Sequence, residues 1–315
     1  MDEGVVIRTR NLTKYYGKSR GIVDVNLEVR KGEVFGFLGP NGAGKSTTIR
    51  TLLDYIRPTS GSAMVNGMDP NREGAKVRRS VGYIPSDFST YSSLTGMDYL
   101  RTLLRMMGHK GPDRIEELAS RLQLDLSRKI KEFSRGNRQK IGIVSCFMHS
   151  PDLVIMDEPT TGLDPLMQQE FYKIVLEEKG RGKTVFLSSH ILNEVEAICD
   201  RVGIIKEGKL IIVEKMSNFK AKTGKIMSVT FERDIPPEVF SRLKGVTEVH
   251  RDPDDGNSLT MTVASDIDGV IKELAKHRVL DLTYDEASLE HIFLHFYGLE
   301  EVRSKNGRRN RGGAT

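Results

Sequence analysis

The sequence predicts an α/β fold: a parallel core sheet with an antiparallel β subdomain and a helical subdomain, followed by a small α+β C-terminal domain. Three observations predict it. Short apolar runs, Val34 to Leu38, Leu153 to Met156, Val185 to Leu187 and Val202 to Ile205, alternate with helical periodicity, as strands buried on both faces of a parallel sheet do. Val23, Val25, Leu27 and Val29 instead alternate with polar residues, the period of a half-exposed strand. Beyond a polar, lysine-rich stretch from Glu214 to Lys225, the patterns run strand, helix, strand, strand, helix, strand, which is the ferredoxin-like order.

The elements follow in chain order. Val5 to Leu12 reads as a strand leading to Lys14-Tyr15-Tyr16-Gly17, and Lys31-Gly32-Glu33 turns the chain from the alternating strand into Val34 to Leu38. Pro58 to Gly61 and Asn66-Gly67 bracket a short strand, Ala63 to Val65, and Val81 to Ile84 runs into Pro85. From Thr95 the period becomes helical: Tyr99, Leu100, Leu103, Leu104 and Met107, then Ile115, Leu118, Ala119 and Leu122. These belong to a helical subdomain over about residues 87–150, whose last helix follows Gly136 and stops at His149-Ser150-Pro151. Leu153 to Met156 then delivers Asp157 and Glu158 at the C-terminal end of a buried strand. Phe171, Ile174 and Val175 suit a crossover helix, and Val185 to Leu187 ends at Ser188-Ser189-His190. The predicted domains are 1–214, 215–302 with a last helix at Ser288 to Tyr297, and a disordered basic tail, 303–315.

Composition narrows the function classes. Of 315 residues, 29% are charged, no apolar run approaches the roughly 18–20 residues of a membrane span, and Met1-Asp2-Glu3 does not open a signal peptide. A cytoplasmic protein is expected. Cys146 and Cys199 lie in apolar patterns and are expected to be buried thiols. A net charge of +5 suits nucleic acid, an anionic membrane face or plain solubility, and does not choose among them. His291 and His295 are four apart, but Glu290 precedes the pair where a metalloprotease has Glu after its first His, so helix surface is the expectation.

The sharpest signal is Gly39, Pro40, Asn41, Gly42, Ala43, Gly44, Lys45 and Ser46, with Thr47 continuing into a helix. It fits G-x-x-x-x-G-K-[ST], set between an apolar strand and a helical pattern: a P-loop. Glycines let backbone N–H groups turn toward phosphate oxygens, and the helix N-terminus adds about half a positive charge. Lys45 can reach the β- and γ-phosphates, and the Ser46 hydroxyl can ligate Mg²⁺. Phosphoryl chemistry also needs a second metal ligand and a group that orients water. Asp157 suits the first role and Glu158 the second, with Pro159 fixing the strand's exit.

With these residues in view, the chain resembles the nucleotide-binding subunit of an ATP-binding cassette (ABC) transporter of the drug- and antibiotic-efflux type, over about Val5 to Val213. Phe133-Ser134-Arg135-Gly136-Asn137 stands where the family has Leu-Ser-Gly-Gly-Gln, and Gln139-Lys140 follow. Asp157-Glu158-Pro159-Thr160 runs into Gly162-Leu163-Asp164-Pro165, His190 closes a Ser-Ser-His switch, and Tyr16 matches the aromatic that stacks on adenine. The resemblance implies an ATPase using ATP and Mg²⁺, whose two cassettes, a second copy or a paralogue, close head to tail. Ser134 and Gly136 would meet the partner's γ-phosphate, His190 would hold water and γ-phosphate, and Asp164 would link the two sites. A separate transmembrane permease is the implied partner, with this chain peripheral on the inner face of the cell membrane, and no nucleic acid is expected.

The chain departs from the family in two places, at Ser86 and in the signature, where Asn137 stands for Gln beside Arg135. Ser86 replaces a Gln that would turn its carbonyl to Mg²⁺, leaving Ser86 or Asp87 to supply that contact. Arg135 replaces the first signature Gly and resembles the Lys of efflux cassettes. The ending Ser288-Leu289-Glu290, Phe293 and Gly298 resembles efflux cassettes with an accessory domain. Phe88, Tyr91, Tyr99 and Leu103 would line a groove for a membrane partner or, for Tyr99 and Leu103, the subdomain core. The rival reading is a soluble ABC ATPase acting on nucleic acid or ribosomes. It lacks the long coiled-coil insertion of repair cassettes and the second P-loop of translation cassettes.

Overall fold

The front of the chain forms an antiparallel sheet, β2-β1-β4, from β1 (Val5–Tyr16), β2 (Ser19–Arg30) and β4 (Ser60–Val65). Inward Ile7, Leu12, Val25, Leu27 and Val29 are buried, and in β2 Asp24, Asn26, Glu28 and Arg30 face out, which is why the period of two was visible there, although Ile22 rather than Val23 is the buried residue at its start. The computed structural model describes residues 4–86, 93–109, 111, 113–218, 225–252 and 255–286, and the chain divides into two units, 1–215 and 216–315.

The first unit is built on a six-stranded sheet. Its strands are β3 (Val34–Leu38), β5 (Val81–Ile84), β6 (Leu153–Asp157), β7 (Thr184–Ser189), β8 (Arg201–Lys206) and β9 (Lys209–Lys215), in the order β5-β6-β7-β3-β8-β9. All pairings are parallel except the β8–β9 hairpin. Every residue of β3, β6 and β7 is buried, as a sheet covered on both faces requires. Phe35, Phe37 and Phe186 stack in that layer, the first and last with centroids 5.8 Å apart.

The helices are α1 (Lys45–Leu52), α2 (Pro70–Ser80), α3 (Gly96–Met107), α4 (Ile115–Arg121), α5 (Arg135–Phe147), α6 (Pro165–Gly180) and α7 (Leu192–Ile198). Thr95 caps α3, its hydroxyl accepting from Asp98 N, and Gly108 ends it in the left-handed region. The α5 helix reaches beyond the helical subdomain and packs on the parallel sheet. A Cβ on Gly82 of β5 would come within 2.1 Å of the Cys146 carbonyl. Cys146 and Cys199 are buried free thiols. Tyr99 is 7% exposed and part of the core, which removes it from a groove; Phe88, Tyr91 and Asp87 lie outside the described residues.

The second unit has a four-stranded antiparallel sheet, β11-β12-β10-β13, from β10 (Lys225–Phe231), β11 (Val246–Arg251), β12 (Ser258–Val263) and β13 (Val279–Glu286). Helices α8 (Glu238–Ser241) and α9 (Ile267–Leu274) complete the β-α-β-β-α-β order. Met227, Val229, Phe231, Phe240, Met261, Val270 and Leu274 form its own core. The helix expected at Ser288 to Tyr297, His291 and His295, the ending motif and the tail 303–315 lie outside the described residues.

Candidate active site

The strand order explains why residues far apart in sequence meet. β6, β7 and β3 are neighbours, so their C-terminal ends bring together Asp157-Glu158, Ser189-His190 and the loop beginning at Gly39. The loop keeps its path because two glycines cannot be replaced. A Cβ on Gly39 would sit 2.3 Å from the Ile205 carbonyl of β8, and Gly44, the N-cap of α1, has φ +109° with Ile22 Cγ2 2.7 Å from where its Cβ would be.

Around this edge opens a cavity of about 430 Å³ lined by Tyr16, Arg20, Lys45, Ser46, Arg135 and Glu158, among others. Asn41, Gly42, Gly44, Thr47, Ser86, Thr161 and His190 also line it. Three cationic side chains, Arg20, Lys45 and Arg135, face one carboxylate, Glu158, so the lining favours an anion. Lys45 is buried, its Nζ donating to the carbonyls of Gly39 (2.7 Å) and Pro40 (3.1 Å) and lying 3.1 Å from Glu158 Oε1. The other Glu158 oxygen is bonded to His190 Nδ1. Glu158 has φ +56° immediately before Pro159, a strained backbone of the kind that collects at functional sites. Its amide N is held by Ser188, through both Oγ and the carbonyl at 3.2 Å.

Asp157 lies behind Glu158 and is 1% exposed. Its Oδ1 accepts from Ser188 Oγ at 2.5 Å, while Oδ2 is buried with no hydrogen-bond partner among the described residues. A buried carboxylate oxygen without a donor could accept a cation, and carboxylate and hydroxyl oxygens such as those of Asp157 and Ser46 are the hard donors that Mg²⁺ takes. Tyr16 is 46% exposed, with Lys14 Nζ 5.5 Å from its ring centroid and its hydroxyl 3.5 Å from Thr47 Oγ1.

Ser134 N-caps α5, accepting from Asn137 N at 3.2 Å, and it is exposed beside the buried Phe133. Gly136 packs against the loop after β6: a Cβ there would lie 2.8 Å from the Gly162 carbonyl. Gln139 Nε2 donates to the Pro159 carbonyl at 2.8 Å, fastening the signature helix to that loop. Asp164 N-caps α6 by accepting from Met167 N at 3.0 Å. Of the predicted site residues, Gly39, Pro40, Ala43, Ser134, Gly136, Asp157 and Asp164 are not among those lining the cavity, while Arg20, Gly21 and Thr161 line it without having been singled out. Thr161 could have been found as the residue following Asp157-Glu158-Pro159-Thr160; nothing in the sequence marks Arg20.

A model of the ABC transporter family matches residues 22–161. The bacitracin transport ATP-binding protein BcrA of Bacillus licheniformis is 37% identical over 225 residues, covering 70% of this chain and 74% of BcrA. The chain belongs to the ABC transporter ATP-binding proteins. The linearmycin resistance ATP-binding protein LnrL of Bacillus subtilis is 35% identical over 224 residues, 70% of this chain and 72% of LnrL. A solved dimeric bacterial ABC transporter cassette is similar with a TM-score of 0.62 and 25% identity, covering 67% of this chain and 98% of that one. This ABC cassette is therefore an ATPase, binding and hydrolysing ATP. Among its described residues no helix is long and apolar enough to cross a membrane.

Proposed function

We propose that this chain powers a drug- or antibiotic-efflux exporter, with ATP-driven closure of two cassettes coupled to a separate membrane-spanning subunit. The observation that carries the proposal is the meeting of Lys45, Glu158 and His190 at one cavity edge. Relatives concerned with bacitracin transport and linearmycin resistance support the cargo class, and the dimeric cassette supports the pairing. The partner cassette is a second copy or a paralogue, and the assembly sits on the inner face of the cell membrane, where ATP is available. The rival, a cassette working on nucleic acid or ribosomes, draws no support from these relatives.

In this reading Tyr16 stacks on adenine, and the backbone from Gly39 to Thr47 wraps the phosphates. Lys45 exchanges its loop carbonyls for phosphate oxygens. Ser46 and Asp157, with Ser86 as a further hydroxyl, would hold Mg²⁺, which would supply positive charge against the phosphates. Glu158 takes the proton of the attacking water, and His190, already bonded to Glu158, fixes that carboxylate and the γ-phosphate. Ser134 and the Gly136 amide approach the γ-phosphate on the other cassette from the N-terminus of α5, and Asp164 connects the two sites. Closure follows from contacts that exist only while the γ-phosphate is present.

The test is Glu158→Gln in the purified full chain. ATP binding should persist while turnover falls by roughly 10²–10⁴, the usual worth of a general base. Light scattering should then find a dimer in Mg-ATP that disperses when nucleotide is removed. Unchanged turnover would remove Glu158 from the base role, and a monomer under all conditions would overturn the closure.

A further inference from the structure

The His190 imidazole is 42% exposed, so burial does not hold it where it meets Glu158. What holds it is the backbone on either side, and that backbone is tied to a buried carboxyl. Ser189, 1% exposed at the end of β7, donates its hydroxyl proton to Glu194 Oε2. The same Ser189 oxygen accepts from Ile191 N at 2.9 Å. A continuous chain therefore runs from the Ile191 amide through Ser189 to Glu194, with His190 at the apex of the three-residue loop.

Glu194 sits in the first turn of α7 and is 1% exposed. No ion pair with a basic side chain accompanies it among the described residues, and burying a carboxyl without one is costly. Apolar residues would fill the space at lower cost, as Val195 and Ile198 do on the same helix. A carboxyl retained there has a polar task. The helix has no side-chain cap at Ile191, so the Glu194–Ser189 bond also takes the place of a cap in fixing where α7 starts.

The geometry points to Glu194 as a positioning residue for ATP hydrolysis, acting through Ser189 to hold His190 against Glu158. The inference rests on the roles given above to His190 and Glu158. Five groups face Glu194: Ser189 and Thr160, whose hydroxyls favour its charged form, Glu158, which opposes it, and Tyr172 on α6 and Cys199, which feel its charge in turn. Cys199 at the end of α7 is likewise raised by burial first and by Glu194 second. Burial dominates and pushes Glu194 up to about 7, so its protonation changes across the working pH range.

The experiment compares ATPase kinetics of the full chain with Glu194→Ala, Glu194→Gln and Ser189→Ala, with His190→Ala as reference. Glu194→Ala and Ser189→Ala should each lower kcat by about tenfold to a hundredfold with KM for ATP unchanged, since misplacement of about 1 Å carries that cost. The double variant should be no slower than either single one, because both break the same chain. Gln keeps the acceptor for Ser189, so Glu194→Gln should restore kcat while flattening the rate profile between pH 6 and 8. Wild-type kcat in Glu194→Ala, with His190→Ala inactive, would overturn the brace and leave the roles of the reacting groups standing. Full activity in His190→Ala would overturn those roles instead. Should Glu194→Ala fail to melt cooperatively, Ser189→Ala carries the test alone, and wild-type kcat there sinks it.

Discussion

His149 shows how a single side chain can be read for its pH dependence. It follows α5, its ring meets His109 with centroids 6.3 Å apart, and neither ring nitrogen has a hydrogen-bond partner among the described residues. Burial first, and His109 second, push it down to about 4 from its ordinary 6.5. The unfolded chain therefore binds this proton between pH 6.5 and 4 while the folded chain does not, and stability falls as pH drops through that window. Glu194 works in the opposite sense: the folded chain keeps a proton between pH 4.5 and about 7 that the unfolded chain has lost, so stability falls as pH rises there. Histidine NMR should give His149 a midpoint near 4, and His149→Phe should flatten the acid side of the stability curve. A midpoint near 6.5 would mean the ring is wet and the assignment wrong.

Between elements, a charged clasp away from the cavity joins α4 to α6. Arg114, at the start of α4, reaches Glu178 at 2.5 Å and Glu117 at 2.7 Å, and Arg121 at its end reaches Glu170 at 2.7 Å and Glu177 at 2.6 Å. Glu178 is 2% exposed, so Arg114→Ala strands a buried carboxylate with Arg181 alone, and about 3 kcal/mol of stability should go. Lys76→Ala removes an exposed pair with Glu73 and should cost no more than about 0.5 kcal/mol. Equal urea midpoints for the two variants would show that the clasp contributes nothing. None of it was legible beforehand, because Arg114 and Glu178 are 64 residues apart and pairing across elements leaves no local trace. Elements with an apolar period were legible: β3 and β5 have the predicted bounds, and β6 adds only Asp157. The α2 helix was not, because Val77 is its one buried large apolar side chain, although Asp69 as N-cap and Pro70 in the first turn were available signals. The β9 strand, half-exposed at the sheet edge, was passed over for the same lack of a buried face, with Glu214 and Lys215 read as the start of the linker. At the site, the motif residues declared themselves, whereas Ser189–Glu194 and Gln139–Pro159 needed the fold to bring them together.

Every residue around the cavity belongs to residues 1–215, while 216–315 have their own sheet and core. We propose on that ground that the ATP-binding domain is self-sufficient, with residues 215–302 an accessory α+β domain. A chain of about 215 residues is long enough to bury a full core, and all six strands of its sheet are supplied before the division. A stop after Lys215 follows the division and keeps β9 whole. The shortened chain should melt in one cooperative step. Mg-ATP at a hundred times its Kd should add about 2.7 kcal/mol to the folded state, and for a domain of this size that raises Tm by roughly 5–10 °C. An equal shift in the full chain would place all nucleotide affinity in the first unit. A shift seen only in the full chain would mean that the second unit completes the site. Loss of cooperative melting on truncation would instead make it a structural partner of the first.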